Sequence, residues 1–152
     1  MTGYICAAAA CNTVTHSMFI SKNGTTTTFD PPGAISSVAV TVIPSGTVFG
    51  SYTDGAGNGH GYQLDHGTFT TIDYPGAIFT FVGGGNAEGE CVGLYTDTSN
   101  VSHSFLLSNG AFTSFDPSGA LFSDASGINP PGVIVGLYFD TKTHGYIRTP
   151  NK

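Results

Sequence analysis

The segment 103–116, HSFLLSNGAFTSFD, alternates apolar and polar positions on both sides of an Asn-Gly pair. Successive side chains of a strand point to opposite faces, so the alternation predicts two short strands. Asn-Gly supplies the two left-handed residues of a tight hairpin between them. Asp116-Pro117-Ser118-Gly119-Ala120 closes that pair, and SDASGINPPGVIVGLYFD (123–140) reads as two further extended pieces around a turn at Asn129–Gly132. Aromatic and β-branched residues fill the strands, Gly, Pro, Asn and Asp fill the turns, and no stretch sustains a helical period.

This pattern recurs every 43 residues. Asp30, Asp73 and Asp116 keep the step, as do Gly33, Gly76 and Gly119, and Gly24, Gly67 and Gly110. Gly46, Gly89 and Gly132 form a further series, followed by Gly50, Gly93 and Gly136, by Tyr52, Tyr95 and Tyr138, and by Asp54, Asp97 and Asp140. His16, His60, His103 and His144 recur after connectors of slightly different length. About four short strands per unit of this size predict an all-β, β-propeller-like chain. Counted from the VGxYxD strand, the 152 residues make one repeat domain of about three and a half four-stranded blades: 3–46, 47–89, 90–132 and a half blade over 133–152. In that register the first strand is degenerate, with Ala7, Ala9 and Cys11 in place of Gly, Tyr and Asp. An incomplete ring leaves open edges, so a homodimer or higher oligomer is expected to complete it, the alternative being terminal strands that close a small ring within one chain.

Composition narrows the partners. Only 9 % of residues are charged, and Lys22, Lys142, Arg148 and Lys152 stand against ten acids for a net charge of −6. No basic patch exists to meet a phosphate backbone, so nucleic acid is not an expected partner. With 11 Phe, 7 Tyr and 39 % apolar residues the chain has enough to bury a core, yet no apolar run nears the ~20 residues of a membrane span. MTGYICAAAACNTV has no basic leading region and does not read as a signal peptide. Of the three cysteines, Cys6 and Cys11 are close enough to pair, although free thiols are an equal alternative, and Cys91 has no activating neighbour in sequence.

The units resemble the HAF-type extracellular repeat family of bacteria. The resemblance rests on His103-Ser104-Phe105, on FTTIDYPGA (69–77) and FTSFDPSGA (112–120), and on GINPPGVIVGLYFD (127–140). It covers nearly the whole chain and implies an extracellular or cell-surface location. The first unit departs from it, since VTVIPSG (40–46) lacks the GIN element.

Residues present in every unit usually build the unit. The repeated His and the Asp of YxD read as a polar network within each blade, and Asp30, Asp73 and Asp116 as acceptors for backbone N–H groups of the Pro-Gly turns. A sharper reading uses ring geometry. Asp54, Asp97 and Asp140 would converge near the axis and, with amide oxygens of Asn86 and Asn129, offer hard ligands to Ca²⁺. Residues that break the repeat are clues to chemistry: Asp65-His66 at a hairpin turn, Glu88 and Glu90 around Gly89, Asp124 and Arg148. His60, His103, Asp65 and His66 are the candidate acid–base groups, and Tyr52, Tyr95 and Tyr138 with Asn86 and Asn129 the candidate ligand contacts. NGT (23–25) and NVS (100–102) match glycosylation sequons.

Three functions compete. The first is a binding module for a small neutral or carbohydrate ligand. The second is a Ca²⁺-dependent hydrolase of the lactonase or esterase kind, with the metal at the centre. The third is a structural surface protein that assembles through open edges.

Overall fold

The structure, a computed structural model, describes the backbone of residues 2–6, 15–20 and 23–150 and the side chains of 15–17 and 23–150. Its strands in chain order are β1 (Thr2–Cys6), β2 (Thr15–Ile20), β3 (Thr26–Phe29), β4 (Ala34–Val42), β5 (Val48–Asp54), β6 (Gly59–Asp65) and β7 (Thr68–Ile72). They continue with β8 (Phe79–Gly85), β9 (Cys91–Thr96), β10 (Ser102–Ser108), β11 (Ala111–Phe115), β12 (Phe122–Ile128), β13 (Ile134–Phe139) and β14 (Thr143–Arg148). The chain is all-β, with no helix among the described residues.

The strands form three sheets, none closed into a barrel. β1-β2-β3 and β12-β13-β14 are three-stranded antiparallel sheets. The eight strands between them are two antiparallel meanders, β4–β7 and β8–β11, joined by one parallel pairing of Gly59 with Phe79. Hydrogen bonding therefore follows a different phase from the sequence periods. β4 pairs β5 across 46/47, β8 pairs β9 across 89/90 and β12 pairs β13 across 132/133, so both meanders and the last sheet begin one strand before the VGxYxD motif.

The first unit needs a second adjustment. Gly3 faces Met18 in β1–β2, as Gly50 faces Tyr62, Gly93 faces Phe105 and Gly136 faces Tyr146. Gly3, and not Ala7, thus holds the glycine slot, because the connector to His16 is longer than its counterparts. Ala7–Cys11 lie outside the described residues, and so does the question of a Cys6–Cys11 bond.

Local chemistry explains both hairpins and curvature. The Asp65–Thr68 and Ser108–Ala111 turns place two residues in the left-handed region, His66 (46°) with Gly67 (85°) and Asn109 (50°) with Gly110 (76°), as a tight hairpin turn requires. One extra residue interrupts the ladder at the same repeat position of β4, β8 and β12, between Ala39 and Thr41, Val82 and Gly84, and Ala125 and Gly127. Such bulges bend a strand and increase its twist.

The first sheet, the two meanders and the last sheet pack face to face in series. Between β1–β3 and β4–β7 lie Ala39, Val48 and Tyr62, backed by Phe29. Between the two meanders lie Ile43, Phe49, Ile72, Val82, Cys91 and Phe105. Between β8–β11 and the last sheet lie Val92, Ala125 and Ile134, with Leu106 and Tyr146. Each of the larger side chains contributes about 1.5–3 kcal/mol by leaving water. The core is thus divided among these interfaces, and buried serines within the strands, Ser17, Ser37, Ser51, Ser104 and Ser123, interrupt its apolar side chains.

Candidate functional site

Each repeated histidine is held at both ring nitrogens or at one. His60 Nδ1 lies 2.8 Å from Asp73 Oδ1 and its Nε2 lies 3.4 Å from Asp54 Oδ2. His103 is held in the same way, 2.7 Å from Asp116 and 3.6 Å from Asp97. His16 meets Asp30 at 2.7 Å, and His144 meets Asp140 at 3.2 Å. Tyr52 stacks on His60 and Tyr138 on His144, with ring centroids 4.9 and 4.8 Å apart, and Tyr95 lies 5.2 Å from His103. Partial burial opposes the charged form of His60 and His103. The carboxylates outweigh it and raise both pKa values above the ordinary histidine value.

Asp54, Asp97 and Asp140 serve their own loops. Asp54 Oδ1 accepts the N–H groups of Ala56 and Asn58, and Asp97 Oδ1 those of Ser99 and Val101. Asp140 does the same for Thr141 and Lys142. Asn58, through side chain and backbone, holds the Asp54 pKa down at about 2, and the Lys142 and Thr141 amides hold Asp140 at about 2. Among the described residues no three His, Cys, Asp or Glu side chains gather so as to hold a metal ion. The three aspartates are therefore not brought together, because each is committed to the hairpin that carries it. Asn86 and Asn129 are likewise turn residues, their Oδ1 atoms accepting the N–H groups of Glu88 and Glu90, and of Val133.

The candidate acid–base residues are dispersed too. His60 and the Asp65–His66 pair stand at opposite ends of β6, about 16 Å apart at the rise of a strand. Asp65 accepts from the Thr47 hydroxyl at 2.8 Å, and one repeat on the polarity reverses, with Ser108 donating to Glu90 at 2.7 Å. Thr47 and Glu90 are equivalent positions, as are Asp65 and Ser108, so these departures from the repeat compensate each other across a strand pair. The phenols of Tyr52 and Tyr95 bond Thr71 and Ser114, at 3.3 and 3.0 Å. Arg148 lies over the Phe115 ring, 4.5 Å from its centroid. Cys91 is a free, fully buried thiol whose pKa burial pushes up to about 12.

A second network, between sheets, joins Asp30 and Asp116 to serine and tyrosine hydroxyls to which the sequence reading gave no role. Ser17 Oγ lies 2.7 Å from Ser37 Oγ and 2.9 Å from the Tyr62 hydroxyl, and Ser37 donates to Asp30 at 2.6 Å. Two units on, Ser104, Ser123, Tyr146 and Asp116 repeat the arrangement. Asp30 and Asp116 thus serve a histidine and a serine, rather than chiefly their turn amides.

The unit between them breaks the pattern. Gly61 stands where Ser17 and Ser104 stand, Phe105 where Tyr62 and Tyr146 stand, and Thr80 where Ser37 and Ser123 stand. The Thr80 hydroxyl accepts the Tyr74 N–H and makes no bond to Asp73. Asp73 keeps one partner, His60, and its side chain is 51 % exposed against 33 % for Asp30 and Asp116. Its second oxygen has no hydrogen bond among the described residues. Asp73 lines a groove of about 410 Å³ with Asn58, His60, Tyr74, Ile78 and Phe79. Tyr74 is fixed by parallel stacking on Tyr95, with centroids 3.6 Å apart.

No protein-family model matches the chain, and comparison with curated proteins finds no match.

Proposed function

We propose that the chain is part of a β-propeller-type assembly and acts as a binding module for a small neutral, hydroxylated ligand of the carbohydrate class. Four-stranded antiparallel meanders, repeated and packed in series, support the propeller reading. The observation that carries the binding reading is Asp73. The carboxylate that is tied to serine in the flanking units is released in this one, and it borders a groove of about 410 Å³, within the range of small-molecule sites. A free carboxylate oxygen accepts from ligand hydroxyls, Asn58 offers an amide, and Ile78 and Phe79 give an apolar wall at 50 % and 39 % exposure. Mixed polar and apolar walls of this kind suit a sugar ring. The resemblance to extracellular repeats agrees with such a ligand.

The test is a glycan array followed by calorimetric titration of any hit. Binding at one site per chain is expected, weakened at least tenfold by Asp73→Asn with little change in melting temperature. Asp116→Asn should lower stability and leave affinity intact. An array without hits, or a hit bound equally well by Asp73→Asn, rejects the reading.

A further inference from the structure

The outer face of the last sheet is composed like an interior one. In β13, Val135, Leu137 and Phe139 alternate onto the side away from Ile134, and Ile147, the cross-strand partner of Val135, joins them from β14. Their exposures are 46 %, 36 %, 42 % and 73 %. One and two repeats earlier the place of Val135 is held by Val92 and Phe49, which are 0 % and 1 % exposed. In each case the cover is the next unit of the same repeat. Phe49 packs with Val82 and Cys91, and Val92 with Ala125 and Ile134. Leu106, the counterpart of Ile147, lies against that second cluster.

A polar observation points the same way. Ser51, on the corresponding face of β5, accepts the N–H of Val82 from the following meander at 2.9 Å. The last sheet also carries an acceptor on this face, Asp124, directly opposite Leu137 where the earlier units have Val38 and Phe81. The carboxylate is half-buried, with Ser126 beside it and its Oδ1 covered within this chain.

We propose that this face is an interface for a second copy of the chain, which continues the stack head to tail. The occupant follows from the interfaces already present: wherever this face is covered, a sheet of this repeat covers it. The order of the stack fixes the partner surface, since β1–β3 precedes β4–β7 and an incoming copy enters with β1–β3 first. The contact is heterologous and closes into a ring or extends into a filament according to the angle between sheets.

Sedimentation velocity across a wide concentration range tests this. The wild type should grow beyond the 15.6 kDa chain as concentration rises. Val135→Asp combined with Ile147→Lys should remain at the mass of one chain. Leu121→Lys, at a position exposed in every unit, should behave as wild type. Far-ultraviolet dichroism and thermal melts establish that each variant is folded, and Ile147→Lys alone replaces the double variant should that one unfold. Mixed with wild type, the blocked chain should still join as a terminal member, because its β1–β3 end is intact. A wild type that stays single, a folded blocked variant that associates normally, or a blocked variant excluded from mixtures, as face-to-face pairing requires, each overturns the proposal.

Discussion

The Tyr62 hydroxyl lies 2.9 Å from Ser17 Oγ in the preceding sheet, and Tyr146 stands in the same relation to Ser104. Between these two contacts the pair is Phe105 and Gly61, and both hydroxyls have gone together. A third position completes the exchange. Ala39 and Ala125 accompany the Ser–Tyr pairs, whereas Val82 accompanies Gly61 and Phe105. A Cβ on Gly61 would lie 2.7 Å from a Val82 methyl, so the larger Val occupies the space that serine fills elsewhere. The sheets thus use two interchangeable interface sets, one hydroxyl-linked and one apolar.

Exchange of these sets should be strongly non-additive. Tyr62→Phe removes one buried hydrogen bond and should cost about 1 kcal/mol, lowering the melting temperature by about 2–4 °C. Phe105→Tyr alone places a hydroxyl against Gly61 with no partner and should cost about 1–3 kcal/mol. Gly61→Ser alone should clash with Val82. The triple change Gly61→Ser, Val82→Ala and Phe105→Tyr should recover much of the loss, and a thermodynamic cycle would show it. Additive costs would mean that the three positions are independent.

The glycine of VGxYxD is fixed by its neighbours. Gly50 faces Tyr62 across the strand pair, and a Cβ there would run into the Val38 carbonyl and lie 2.6 Å from the Tyr62 ring. Gly136 stands in the same relation to Asp124 and Tyr146. Gly50→Ala should therefore destabilise by about 2–3 kcal/mol in chemical denaturation, at the upper end of overpacking effects. Gly55→Ala, in open space, should cost far less.

What could be read in the sequence was whatever recurs at a fixed step with a local cause. The Asn-Gly hairpin, the repeat length and the all-β class rest on turn chemistry and alternation. The phase of the sheets was not legible, because the alternation that predicts β4 or β8 is equally compatible with pairing forward or backward. The spacing of Asp54, Asp97 and Asp140 did not disclose their local role for a related reason. Equal spacing shows equivalence and says nothing about distance from an axis, and these carboxylates are consumed by the amides two to four residues ahead. Ser17, Ser37, Ser104 and Ser123 did leave a signal, as small polar residues at repeat positions inside strands. Their loss at Gly61 and their replacement by Thr80 marked the unit where Asp73 is released.

Cys91 should be chemically silent in the folded chain. Burial keeps the thiol protonated to about pH 12, and only the thiolate reacts. With Cys6 and Cys11 replaced by serine, a thiol reagent at pH 8 should label Cys91 only as fast as the protein unfolds, and denaturant should restore full labelling. Rapid labelling under native conditions would place Cys91 at the surface.

The paired imidazoles and carboxylates give stability a pH window. His60 and His103 titrate above the ordinary value of 6.5 when folded, so their contribution is fully present below pH 6.5 and is lost as pH rises through the folded value. Asp54 and Asp140 titrate near 2 rather than 3.8, so their contribution is present above pH 3.8 and is lost as pH falls toward 2. The melting temperature should therefore be highest between about pH 4 and 6.5 and decline on both sides. His103→Gln should lower the maximum and flatten the alkaline decline, because glutamine keeps a hydrogen-bonding amide without the titration. An alkaline limb equally steep in His60→Gln and His103→Gln would show that other groups set it.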